Sequence, residues 1–294
     1  MRPLPHITCL TAGHITHDRF GKQFAPGGSV LYAAKTLIAL GGDVRIATSF
    51  GDNFQFHKET DGIPTYNTPS AVTTTFENTY PAGAPRLMLV EDVASEVPPD
   101  CVPDDQRSVD LLFLAPVIGE IPLDPWINTV SARIVGLGLQ GFLKRPGETY
   151  LGKTRSHRLA KRDFHPTDDV LKKIFAVFLS EEDIEGFADA NLLDRLRKNV
   201  PVTAVTDGEK GAHIYTQKAE YHVGIYITNT VDPTGAGDTF ASAFLYAQAA
   251  GLSIQESAQL AAACASVVVE AKGPKAMNRI PHAFERLEKV RVSD

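Results

Sequence analysis

Short apolar runs of strand length, spaced along most of the chain, constrain this sequence more than any other feature. They cover residues 7–12, 44–50, 109–114, 133–137, 174–179 and 202–206, with helical or turn segments between several of them. That alternation predicts an α/β fold with a largely parallel sheet. The first helix is expected at 29–40, opened by Gly27-Gly28 and stopped by Gly41-Gly42, a glycine C-terminus. The C-terminal third is the most helical. There Ser253-Ile254-Gln255-Glu256 forms a capping box ahead of an Ala-, Val- and Ser-rich stretch that ends at Gly273-Pro274. A chain of 294 residues with 43% hydrophobic content can bury one large core, or one main domain plus a small appendage.

Two regions break the rhythm. Residues 71–90 read as a β-hairpin around a turn at 80–85, and residues 18–26 form a short polar segment between the first strand and the first helix. Together they suggest a small β flap over the main sheet; an ordinary surface hairpin explains the same residues. Residues 91–107, rich in Pro and Asp, read as a connecting loop. Residues 144–169 are polar and read as a long exposed excursion.

Charge and cysteine usage narrow the function. The 29 basic and 35 acidic residues leave a net −6, with no Lys/Arg-rich run, so a nucleic-acid footprint is missing. Three widely spaced cysteines do not form a secreted disulfide framework and fit a reduced compartment. The opening residues carry no apolar core of a signal peptide, and no apolar run approaches the roughly 18 residues that span a bilayer. The expectation is a soluble cytoplasmic protein with a small-molecule substrate, no nucleic acid and no membrane.

The chemistry concentrates in Asp232-Pro233-Thr234-Gly235-Ala236-Gly237-Asp238. A strand is expected at 225–231, then a glycine turn, then a helix from Asp238 to 250. The turn Gly235-Ala236-Gly237 has almost no side chain, so its N–H groups can converge on an anion at the positive end of a helix. Asp238, in the first turn, can take the proton of a hydroxyl that attacks phosphorus. Base and anion hole would share one turn, as in-line phosphoryl transfer requires. An N-capping aspartate after a glycine turn is the plain alternative.

This string resembles the carboxy-terminal signature of the ribokinase-like (PfkB) carbohydrate kinases. Two further stretches are similar to that family: Gly27-Gly28 about ten residues after Asp18, and Thr206-Asp207-Gly208-Glu209-Lys210-Gly211, like its T-x-G-x-x-G turn. The resemblance implies a Rossmann-like αβα sandwich with a mostly parallel central sheet and a small β lid, here at about 15–25 and 70–91, all in a single domain spanning 1–294. It implies a kinase that moves the γ-phosphate of ATP to a sugar or polyol hydroxyl, with Mg²⁺, and with K⁺ in many members. By the same resemblance Asp18 and Gly28 serve substrate binding and lid movement, and Thr206, Gly208 and Gly211 lie along the nucleotide. The family's magnesium motif, N-x-x-E, is represented by Ser180-Glu181-Glu182-Asp183, which points to Asp183 as the magnesium residue; a capped helix N-terminus explains the same four residues. The flap could serve as a lid or as the interface of a homodimer.

For the acceptor, Thr16 stands where sugar kinases tend to carry asparagine, and His17 before Asp18, a short segment between Asp52 and Thr73 and Leu139-Gln140 after a central strand are similar to plant-type myo-inositol kinases, which also carry serine in the magnesium motif. Asp18, Thr16 and Gln140, with Glu120 or Arg86, are candidates for substrate hydroxyls, and Lys144 for a phosphate. Ribose, ketohexose and nucleoside acceptors stay open, as does a catalytically silent ligand-binding relative. Gly136-Leu137-Gly138-Leu139-Gln140-Gly141 matches a dinucleotide fingerprint, but Pro146-Gly147 follows too soon for the helix that fingerprint must open. His14 and His17 lack a third metal ligand and read as a solvent- or substrate-side pair.

Overall fold

Strands that are apolar on both faces need helices above and below them. The computed structural model describes residues 5–79, 87–150 and 156–293. In chain order its strands are β1 (Thr8–Ala12), β2 (Thr16–Phe20), β3 (Gln23–Gly27), β4 (Asp43–Gly51), β5 (Thr65–Ser70), β6 (Thr75–Thr79), β7 (Leu87–Asp92), β8 (Ser108–Leu114), β9 (Ser131–Gly138), β10 (Lys144–Thr149), β11 (His157–Lys161), β12 (Ala176–Ser180), β13 (Val202–Thr206), β14 (Ala212–Thr216), β15 (Glu220–Val223) and β16 (Val292–Ser293). The α-helices are α1 (Ser29–Ala39), α2 (Leu123–Thr129), α3 (Asp168–Leu171), α4 (Glu181–Phe187), α5 (Leu192–Asn199), α6 (Ala236–Ala249) and α7 (Ile254–Val268).

Ten strands form the main sheet, in the order β16-β15-β14-β13-β12-β9-β8-β1-β4-β5. From β13 to β5 all neighbours run parallel, and β14, β15 and β16 add antiparallel at one edge. Alternation along each strand divides the core. Cys9, Leu111, Phe113 and Phe178 join α1, α6 and α7 on one face; Leu10, Leu112, Leu114 and Val177 join Trp126 of α2 and Leu196 of α5 on the other. Each fully buried Leu or Phe contributes about 1.5–3 kcal/mol of transfer free energy. This is the α/β sandwich expected from the sequence. No helix among the described residues is long and apolar enough to cross a membrane.

The chain passes from β1 to β4 and β5 on one side, then to β8, β9, β12 and β13 on the other. The reversal lies between β1 and β8, and crevices at the carboxyl ends of such strands receive ligands.

A second sheet has the order β10-β11-β7-β6-β2-β3. Strands β2, β3, β6 and β7 come from the two segments that broke the rhythm. Strands β10 and β11 come from 144–169, read as an exposed excursion; that reading is corrected here. The stretch is too polar to advertise a strand, and β11 offers the shared apolar cluster of this sheet only Leu159, beside Phe76, Met88 and Val90. The expected turn at 80–85, with Arg86, lies outside the described residues.

The strand expected at 225–231 does not form. The sheet ends with β15 and β16, and Ile227 is 87% exposed. Its apolar alternation has no neighbouring strand to pair with, and alternation alone does not make a strand.

Candidate active site

Helix α6 starts where the glycine turn ends. Gly235 is its N-cap, with φ 81°, in the left-handed region that favours glycine. A Cβ on Gly235 would also come within 2.2 Å of the Tyr32 ring, so two independent constraints select glycine here. The loop ahead is tied at both ends by Asp232, whose carboxylate accepts from the N–H of Thr234 and of Gly273, both at 3.0 Å. The Ala236 N–H is taken by the Pro233 carbonyl. The N–H groups of Gly237 and Asp238 have no acceptor among the described residues, as the first turn of a helix leaves them.

Asp238 is half-buried in that first turn. Loss of solvent around its carboxyl raises its pKa from 3.8 to about 6; a hydrogen bond from Ser29 opposes the rise, Asp183 adds to it, and Lys144 opposes it. A carboxylate so tuned is a stronger base than a free aspartate yet remains ionised near neutral pH.

Ser29 joins Asp238 to the other side of the site. It opens α1, directly after Gly28, the N-cap, and Gly27, the last residue of β3. In β2, Asp18 packs its carboxyl against Gly27: a Cβ there would lie 2.6 Å from the carboxylate. The Thr16 hydroxyl donates to Asp18 at 3.3 Å. Between Gly27, beside Asp18, and Ser29, which lines the cleft with Asp238, there are two chain steps, at most about 7 Å. Sequence reasoning missed Ser29; a hydroxyl one step beyond a di-glycine at a helix start was the available signal.

The cleft itself holds about 80 Å³ of free space, lined by residues that include Ser29, Pro116, Gly138, Gln140, Ser180, Asp183, Thr206, Gly237 and Asp238. Most of these stand at the carboxyl ends of β8, β9, β12 and β13 or at the start of α6. Gln140 and Thr206 thus join Asp238, while Gly208 and Gly211 form the 3₁₀ turn just beyond Thr206. A larger hollow of about 290 Å³ lies between the end of α7 and residues 279–289, but its Arg279 and Arg286 are already paired with Glu270.

Other candidates have structural tasks. Glu120 is buried and accepts from the N–H groups of His14, Val117 and Ile118 at 2.8–2.9 Å. His14 and His17 are buried rather than solvent-facing. The His14 ring bonds to the Ser95 carbonyl and the Thr74 hydroxyl, and the His17 ring accepts from the Gln55 N–H and stacks on Phe54. Gln140 opens a short 3₁₀ turn, not the helix a dinucleotide fingerprint needs.

The stretch 180–183 forms a full capping box on α4. One oxygen of Asp183 accepts from the Ser180 N–H at 3.1 Å and hydroxyl at 2.8 Å; the other pairs with the Lys144 ammonium at 2.8 Å. Both oxygens are therefore committed, and this donor set does not fit a magnesium ion ligated directly by Asp183. Among the described residues, one acid and histidine group is close enough to share an ion, Asp163, His165 and Asp189, and it lies at the surface with Lys161 already on Asp189.

The large, mostly parallel sheet with its helices and the second small sheet are those of the ribokinase fold. The profile of the pfkB family carbohydrate kinases matches residues 156–281. Inositol 3-kinase of Arabidopsis thaliana is 25% identical over 282 residues, covering 92% of this chain and 76% of that protein. A nucleoside kinase of Methanocaldococcus jannaschii is 33% identical over 132 residues, 42% of each chain. A pyrophosphate-dependent kinase in the ribokinase family, solved with a pyrophosphate analog and myo-inositol, superposes with a TM-score of 0.74 at 21% identity, over 94% of this chain and 99% of that one. Over residues 156–281 the chain is similar to the pfkB family carbohydrate kinases.

Proposed function

We propose that this protein transfers the terminal phosphoryl group of a polyphosphate donor to a hydroxyl of a myo-inositol-like polyol, with Asp238 as general base. The observation that carries this reading is the Asp238 carboxylate, raised to about 6, in the same helix turn as the unpaired N–H groups of Gly237 and Asp238. The acceptor hydroxyl attacks phosphorus and gives its proton to Asp238. One O–P bond forms, the bond to the leaving phosphate or diphosphate breaks, and the turn 235–237 receives the oxygens that gain charge. Asp18, with Thr16 and Gln140, holds the acceptor. Thr206, Gly208 and Gly211 border the donor.

The polyol acceptor is supported by the long match to inositol 3-kinase and by the neighbour that binds myo-inositol. ATP is the donor that the family resemblance implies. Pyrophosphate is the second reading, favoured by the pyrophosphate-dependent neighbour. The test is a matrix of donors and acceptors: ATP and pyrophosphate, each against myo-inositol, ribose, fructose, adenosine and cytidine, read by phosphorylated product. The expected result is turnover with myo-inositol and one donor, lost by ~10²–10⁴-fold in Asp238→Asn with donor binding kept. Turnover of that variant near wild type removes Asp238 as base, and no product in any cell of the matrix favours the silent relative.

A further inference from the structure

We infer that Lys144 is a built-in cation of the donor site, standing in for charge that the family's magnesium motif would organise. The inference rests on the phosphoryl-transfer reading and adds a residue to it. Lys144 opens β10 in the second sheet, yet its ammonium reaches across to Asp183 at the start of α4, beside the main sheet. The residue is 6% exposed. An ammonium has three N–H donors. Among the described residues this one has a single ionic partner, Asp183, and otherwise lies 4.9 Å from the centre of the Phe187 ring. A buried cation with spare donors is costly unless an anion completes its shell.

The neighbourhood says what that anion is. Asp183, which holds the ammonium, lines the cleft with Ser180, Thr206, Gly237 and Asp238. The positive charge is near enough to oppose the rise of the Asp238 pKa. Phosphoryl oxygens delivered to the 235–237 turn therefore enter the cleft lined by Asp183, the partner of Lys144. The substitution in the magnesium motif and the lysine are two halves of one change. Serine and aspartate at 180 and 183 close a capping box and bind an ammonium instead of offering oxygens to a metal. Lys144 supplies fixed positive charge at a place where oxygen ligands would otherwise gather a mobile ion. Such a charge costs no reorganisation when the donor binds.

The test is calorimetric binding of pyrophosphate and of ATP to the intact protein, with EDTA and with magnesium, in wild type, Lys144→Arg, Lys144→Met, and the double variant Lys144→Met with Asp183→Asn. Thermal melts accompany each variant, because Lys144→Met alone leaves Asp183 buried and unpaired. Wild type and Lys144→Arg should bind a donor in EDTA. Both Met variants should lose at least tenfold in donor affinity while the KM for the acceptor holds. A role confined to tying the two sheets together predicts that the neutral double variant, folded and unburdened by a lone charge, binds donor as wild type does; that result overturns the inference. Wild-type binding that needs magnesium and ignores Lys144 overturns it too. Failure of wild type to bind either donor in either condition overturns the phosphoryl-transfer reading itself.

Discussion

The Asp238 carboxyl owes its raised pKa to packing that the sequence does not place beside it. The helix turn that carries it is local; the desolvation that raises its carboxyl to about 6, and the Ser29 hydroxyl that opposes the rise, come from packing. The rate constant kcat/KM should therefore climb with pH and level off above about 6, read from a pH series with saturating donor. The same shift has a cost in stability, and its sign follows from linkage. The folded state raises this pKa, so it binds the extra proton between the unfolded value and about 6. Below ~pH 4 the carboxyl is neutral in both states and costs nothing. Above about 6 it is ionised in both, and the folded state bears the whole penalty. Asp238→Asn should melt close to wild type near pH 4 and increasingly above it as pH rises to 7, measured by paired thermal scans. A gap that stays constant with pH would contradict the raised pKa.

Elements differ in how openly the sequence declares them. The capping box at Ser253 forms as expected: the hydroxyl accepts from the Glu256 N–H, and Glu256 reaches back to the Ser253 N–H at 2.9 Å. Ser253→Ala should lower unfolding free energy by about 1 kcal/mol in urea without changing KM, because the cap lies at the far end of α7 from the cleft. The capping box at Ser180 has the same grammar and a different use. There the N3 acid also holds Lys144, from a strand of another sheet. Nothing within four residues distinguishes the two boxes. Strands β10 and β11 were hidden for a related reason. Their residues are polar, and their pairing depends on β7, more than fifty residues away in sequence from β10. The 225–231 segment erred the other way: it carries the alternation of a strand and lacks a partner.

At the scale of the molecule, two sheets meet over one crevice. The second sheet is pinned to the main body by the Lys144–Asp183 pair and by Phe76, which packs with Val117 and Ile118. We propose that this sheet closes on the acceptor as a lid. Hydrogen exchange should then slow in β2, β3 and β6 when myo-inositol and a non-transferable donor bind together, while β8 and β9 change little, since buried central strands already exchange slowly. Equal exchange with and without ligands would leave the second sheet a fixed wall.

The sequence by itself determined the fold class, the order of the parallel strands' segments, the glycine turn before α6 and the placing of Asp238 in the first turn of that helix. Those features are local: period, turn chemistry and helix caps act over a few residues, and apolar strands must be covered on both faces. Only the tertiary structure decided which polar residues work together. It joined Ser29 to Asp238, set Gly27 against Asp18, withdrew His14, His17 and Glu120 into internal hydrogen bonds, and committed Asp183 to Lys144. A carboxylate or an ammonium reads the same in any sequence. Its role follows from burial and from the charge across the cleft, and both are properties of the packed chain.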